Sequence, residues 1–240
     1  MSEVESWPAG GRRNPPRSTP TYWILAPLAD WLRRQAAECH DRYGAYRVLD
    51  VGCGAKPYYP FFRPYVREYV GVDPVNPDAE VRGTAEAIPV EDGGYDVVLC
   101  TQVLEHSVEP EQAVRELRRV TAPGGRVLAS THGVMVYHPN PDDLWRWTHA
   151  GLVRLFERNG DWTRVTVTAN AGTGSCVTTV LAMYVSLLAK QARVERAGGL
   201  VVRGLNRFGP VLDRTSSRLR EPTQPGTMFL NYHVLAETPS

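Results

Sequence analysis

Residues 48–57 read VLDVGCGAKP, an apolar run that stops at two glycines spaced one residue apart. Near-continuous apolar runs suit strands covered on both faces, and glycines at the carboxyl end of such a strand bare the backbone to a ligand. Outward from this turn the hydrophobic period alternates between two and 3.6. It predicts strands at 46–51, 68–72, 95–101, 125–131, 163–169 and 227–236, with helices at 21–40, 110–121 and 149–158. Parallel neighbours need crossovers, which are normally helices, so the alternation indicates a doubly wound, mostly parallel α/β sheet with helices on both faces. Residues 171–226 are too many for a hairpin; 177–189 and 199–208 read as helical, which gives an inserted helical lobe before the last strand. Residues 1–20, dense in Gly, Pro, Ser and Arg, read as a flexible arm, and 21–240 as a single domain.

The turn also says what kind of ligand it suits. A dinucleotide fingerprint wants a third glycine where Pro57 stands, to pack a helix tightly beneath a pyrophosphate. Asp73 follows Gly54 by 19 residues at the end of the next strand, spaced to accept hydroxyl hydrogens from a ribose. A nucleoside without a diphosphate therefore fits. Asp50, Asp73 and the acid-rich neighbourhood from Glu80 to Glu116 set an acidic rather than phosphate-binding surface around it.

Composition narrows the partners. The net charge is +1, with 27 basic and 26 acidic residues, which argues against the electropositive footprint nucleic acid selects. Cys39, Cys53, Cys100 and Cys176 form no CxxC pair, so neither a zinc site nor a disulfide framework is expected, and a reducing, cytoplasmic setting fits. No signal-like run opens the chain, and no run of the length expected of a membrane-spanning helix stands out.

In combination these motifs resemble the class I S-adenosylmethionine-dependent methyltransferases, in particular the small-molecule type, over residues 46–158. The resemblance implies a seven-stranded Rossmann-like sheet and S-adenosylmethionine as cofactor. VLDVGCGAKP is similar to the family's first motif, which places Asp50, Gly52, Cys53 and Gly54 at the methionyl portion; Asp73 matches the ribose-binding acid, with Pro74 beside it. RGTAEAIP resembles the segment beside the adenine, with Thr84 where the family usually carries Asp, and with Ala85 able to offer its backbone. YDVVLCTQVLEH places Thr101 and Gln102 near the methionyl end, and APGGRVLAS resembles the turn and strand that complete the core.

The acceptor side is read from histidines and aromatics. Methyl transfer needs a base only when the nucleophile arrives protonated. His132, just past a strand, and His138, opening HPNPDDLWRWT, are the candidates. Tyr22, His106, Asp143, Trp145 and Arg146 are expected around the substrate; the alternative for the 138–148 segment is an ordinary helix start, with Asp142, Asp143 and Thr148 as capping residues. Gln102 replaces the first Glu of the magnesium-ligating E-x-x-E-H pattern of some related enzymes, so no metal is expected. The expected partner is a small-molecule methyl acceptor, a sugar or secondary metabolite, with a homodimer compatible. Eight Lys or Arg between 190 and 220 stand against two acids; they read as a solvated basic face, or alternatively as a surface for an anionic substrate or lipid headgroups. Two other functions remain open at this point: a protein that keeps the cofactor fold but only binds, and a nicotinamide-dependent oxidoreductase, which Pro57 disfavours.

Overall fold

The computed structural model describes residues 9–139 and 141–240. Six strands, β1 (Tyr46–Val51), β2 (Val66–Val72), β3 (Tyr95–Thr101), β4 (Thr121–His132), β5 (Arg164–Ala169) and β6 (Asn231–Glu237), form one sheet in the order β2-β1-β3-β4-β6-β5. β2, β1, β3 and β4 are mutually parallel, whereas β6 runs antiparallel between β4 and β5. The carboxyl ends of β1, β3 and β4 therefore lie side by side, with Val51 level with Cys100 and Cys100 with Ala129.

Period-two alternation sorts the strand side chains into two layers. Leu49, Val51, Val98, Cys100, Val127 and Ala129 face one layer, filled by Ala113, Val114 and Leu117 of α4 (Pro110–Val120) and Leu152 and Phe156 of α5 (His149–Arg158). Val48, Val97, Leu99 and Leu128 face the other, against Leu28, Leu32, Ala36 and Cys39 of α2 (Tyr22–Tyr43). Pro27 sits inside α2 and has no N–H for the Trp23 carbonyl. That carbonyl instead accepts a hydrogen bond from the Asn170 side-chain amide. Two four-residue helices complete this half: α1 (Gly10–Arg13) and α3 (Tyr59–Phe62).

The structure differs in detail from the pattern read off the sequence. The sheet has six strands among the described residues rather than seven. At the β2 edge, where another strand would pair, residues 73–94 supply only the bridge Val72 to Val81, and Pro74, Pro77 and Pro89 remove ladder donors there. Residues 9–20 carry specific contacts: Arg13 is 2 % exposed and donates to the Pro57 carbonyl at 2.7 Å. Arg17 lies over the Tyr22 ring, and buried Asn206 donates to the carbonyls of Arg17 and Thr19. The arm reading for residues 1–8 falls outside the described residues. Finally, the inserted helices are longer than their apolar runs: α6 is Thr173–Gln191 and α7 is Glu195–Arg214, followed by a 3-10 turn at Ser217–Arg220. α6 is moreover long and apolar enough to cross a membrane by length and composition, with half of it buried within the fold.

Candidate active site

β1 ends in a turn that only glycine fits comfortably. Gly52 and Gly54 have φ of +69° and +46°, in the left-handed region. A Cβ on Gly52 would collide with Val103, whereas one on Gly54 would meet nothing within 4 Å, so open space faces Gly54. The Gly54 N–H donates to Asp73 Oδ2 at 3.0 Å, and the N–H groups of Val75 and Asn76 donate to Oδ1 at 2.9 and 2.8 Å. Asp73 thus ties the first turn to the second. Burial raises its carboxyl, but the three backbone donors outweigh burial and hold it below the ordinary value, so Asp73 is an anion. With two lone pairs per oxygen, Oδ2 keeps one acceptor position for a hydroxyl. Pro74 is exposed just beyond.

Asp50 is 4 % exposed and accepts the Tyr69 hydroxyl at 2.7 Å. Burial pushes its carboxyl up to about 7, against that hydrogen bond and the pull of Lys56. Cys53 is buried and its thiol is pushed up to about 12 by desolvation, so it packs against Gly71 rather than reacting. A cavity of about 830 Å³ opens on the outer side of the turn between Gly54, Lys56, Asn76 and Glu80; none of the histidines lines it. Ala85 is buried and Thr84 exposed in the loop after β2. Glu86 anchors this loop by accepting the Ser107 hydroxyl at 2.5 Å and the Val108 N–H at 2.9 Å.

Beyond β3, Thr101 is half-buried and Gln102 adopts φ +58°, a strained setting for a non-glycine residue. Its side-chain amide donates to Ser130 Oγ and Asn231 Oδ1, so it locks the ends of β4 and β6.

Three imidazoles gather past β3 and β4. The His138 ring centre is 5.2 Å from that of His132 and 5.2 Å from that of His106. His138 Nδ1 lies 3.1 Å from Asp143 Oδ2, which also accepts the His138 backbone N–H at 3.0 Å. Arg146 grips both Asp143 oxygens at 2.6 Å and donates to the carbonyls of Met135 and Val136. Asp143 and Arg146 are therefore engaged with each other and with the loop that carries His138. The Arg146 guanidinium, first among its causes, pushes the Asp143 carboxyl far below the ordinary range. His106 Nδ1 is 2.7 Å from the Asp142 carbonyl. His132 Nε2 approaches Glu105 Oε1 at 3.2 Å, off the hydrogen-bonding angle, while Thr131 donates to Oε2 at 2.8 Å. Burial drives His132 down to about 3 and Glu105 up to about 7, so both favour their uncharged forms. Ligand-type atoms of Glu105, His132 and His138, and of His106, His138 and Asp143, lie within 4.8 Å of one another, close enough for these groups to hold a divalent ion after small side-chain shifts.

Trp145 stacks on Trp147 at 5.6 Å and donates to the Ser107 carbonyl; it remains 39 % exposed. Thr148 accepts the Gly151 N–H as the cap of α5. Tyr22 packs edge-on against Trp23 beneath Arg17, at the start of α2. Sequence reasoning missed Tyr69, Glu86 and Glu105 as site residues. A signal existed for Tyr69: its cross-strand register sets it diagonally from Asp50, beside the bare Gly71.

This fold and glycine turn are those of a Rossmann-like α/β protein. Residues 22–172 match the methyltransferase domain family, and the chain belongs to it. An uncharacterized methyltransferase from Bacillus subtilis, YcgJ, is 34 % identical over 114 residues, covering 41 % of this chain and 44 % of that one. The ubiquinone biosynthesis O-methyltransferase of Bordetella avium is 30 % identical over 128 residues, covering 47 % and 52 %. The chain thus spans about half the length of these relatives. Among solved structures the [4+2]-cyclase SpnF is similar with a TM-score of 0.55 at 20 % identity, over 88 % of this chain and 81 % of that one; at that identity the likeness shows the fold alone.

Proposed function

We propose that this protein transfers a methyl group from S-adenosylmethionine to an oxygen or nitrogen of a small molecule, with His138 as general base. The observation that carries the reading is the Gly54–Asp73 clasp beside open space, two strands from an oriented imidazole. Neighbouring strands lie about 4.8 Å apart, so the mouths of β1 and β4 are roughly 10 Å apart, a span that a nucleoside joined to an amino acid bridges. The chain's own residues fit such a donor. Oδ2 of Asp73 has an acceptor left for a ribose hydroxyl, and Gly54 offers uncluttered backbone. Asp50, which burial holds partly protonated, would be stabilised as a carboxylate by an ammonium group.

When bound, the cofactor supplies an electrophilic methyl carbon; the chain aligns the acceptor with it and excludes water. Asp143 and the Val136 carbonyl both face His138 Nδ1, which places the ring proton there and leaves the Nε2 lone pair to take the acceptor's proton. His132, whose buried ring resists protonation, is the weaker base of the two. The half-exposed Trp145 offers a flat surface for a ring-shaped acceptor. A reducing compartment suits the four free, buried thiols.

The test is mass spectrometry of candidate metabolites incubated with protein and S-adenosylmethionine, looking for a product heavier by one methylene. Because SpnF shares the fold and is described as a [4+2]-cyclase, the same reactions are searched for unmethylated products; a rearranged product without added mass would replace methyl transfer as the reading.

A further inference from the structure

The hairpin of α6 and α7 is built with its small residues inside and its large apolar residues outside. Gly198 packs on Ala189, and a Cβ on Gly209 would come within 2.7 Å of Ser175 Cα. Within it, buried Asp213 accepts the N–H groups of Gly174 and Ser175 and the Ser175 hydroxyl, closing the start of α6. Outside, Val177, Leu181, Tyr184 and Leu188 recur on one stripe of α6, and Tyr184 is 57 % exposed. Leu200, Val201, Phe208 and Val211 form the exposed apolar stripe of α7, with Leu200 at 66 %. α6 gives its inner sides to the domain, through Cys176 and Met183 against Ile24 and Leu230, and to α7. Antiparallel packing and the 3.6-residue period then set both stripes on the one side that faces away from the sheet. An apolar face of this size is unusual on a water-soluble surface.

Charge says what covers it. Arg196, Arg203, Arg207 and Arg214 fall seven, four and seven residues apart, one straight basic row flanking the apolar stripe of α7. Lys190 and Arg193 mark the hairpin tip, and Arg218 and Arg220 follow α7. All eight are exposed, and among the described residues none makes an ion pair. The only acids in this stretch are Glu195 and the internal Asp213. We propose that this hairpin docks the protein on an anionic membrane, with the apolar face in the headgroup and acyl boundary and the arginine row on the phosphates. It lies on the membrane rather than across it, because spanning would strip α6 from Ile24 and Leu230. Met135, from the loop that leads to His138, packs against the same cluster on the inner side of α6.

Docking does not depend on the methyl-transfer reading and needs no acceptor to be measured. The full chain is floated with vesicles of phosphatidylcholine alone or with one third phosphatidylglycerol, across a salt series. The expected result is binding at least about tenfold stronger to the anionic vesicles, weakening with salt. L181Q/F208Q and R203E/R207E are each expected to lower that binding by about tenfold or more while melting cooperatively near the wild-type temperature. Binding indifferent to lipid charge, or none, overturns the proposal. So does a wild-type dimer in analytical ultracentrifugation that L181Q/F208Q converts to monomer, which would make this face a contact between copies of the chain.

Discussion

Asp143 accepts the His138 backbone N–H at 3.0 Å and lies 3.1 Å from the ring Nδ1, which pairs with the Val136 carbonyl at 3.2 Å, while Arg146 binds both oxygens of the same carboxylate. Both groups beside Nδ1 are acceptors, so a proton on that nitrogen would leave Nε2 free to meet an acceptor.

If His138 takes the acceptor's proton, H138Q should lower kcat by about 10²–10⁴-fold and leave the affinity for S-adenosylhomocysteine unchanged. H132Q should cost far less, because its buried ring is already a poor base. Steady-state kinetics on whichever acceptor the mass-spectrometric search yields will separate them; equal losses would mean that His138 is not the base.

The two glycines are expected to fail differently. G52A places a methyl into Val103 at φ +69° and should lower thermal stability by several degrees, about 1–2 kcal/mol for the left-handed backbone alone. G54A meets no protein atom. It should fold with a smaller loss, yet bind S-adenosylhomocysteine at least about tenfold more weakly, since its methyl stands in the ligand's space. Differential scanning fluorimetry with and without ligand reads both.

Cofactor binding should carry a proton signature. Burial pushes the Asp50 carboxyl up to about 7, and it must be ionised to pair with an ammonium group. Affinity is therefore expected to rise from pH 6 to pH 8, by up to about tenfold per unit below 7, with proton release at pH 6. Calorimetry in buffers of different ionisation enthalpy measures the release, and D50N should abolish it.

Much of the fold is legible because the strand runs are apolar on both faces: the boundaries expected at 46–51 and 95–101 coincide with β1 and β3. The pairing of the glycine turn with Asp73 is likewise a matter of local spacing. What sequence could not show depends on distant partners. Arg13 is ordered by a carbonyl 44 residues away, which no reading of its own polar neighbourhood reveals. Glu105 becomes a site residue only because β4 delivers Thr131 and His132 to it. Asp143 and Arg146 were legible as residue types, but their mutual grip is a product of the loop's closure.

Acid stability offers a test of the core. His233 is buried against Trp31, and burial drives its ring down to about 3, below the ordinary 6.5. The unfolded chain then takes up a proton that the folded chain refuses, so the contribution is complete above pH 6.5 and declines towards pH 3. Each such histidine steepens the loss by up to about 1.4 kcal/mol per pH unit. H233L should flatten the decline between pH 6.5 and 4 in urea titrations, whatever its effect at pH 8; an unchanged slope would mean that His233 protonates within the fold.

Titration calorimetry with S-adenosylhomocysteine tests the central claim most directly. Wild-type protein is expected to bind one equivalent, and D73A to bind at least about tenfold more weakly, with a melting temperature about 5 °C lower for the loss of roughly 2 kcal/mol of charged hydrogen bonding. Absence of heat with the wild type, or equal binding by D73A, would contradict the assignment of this turn as the cofactor site.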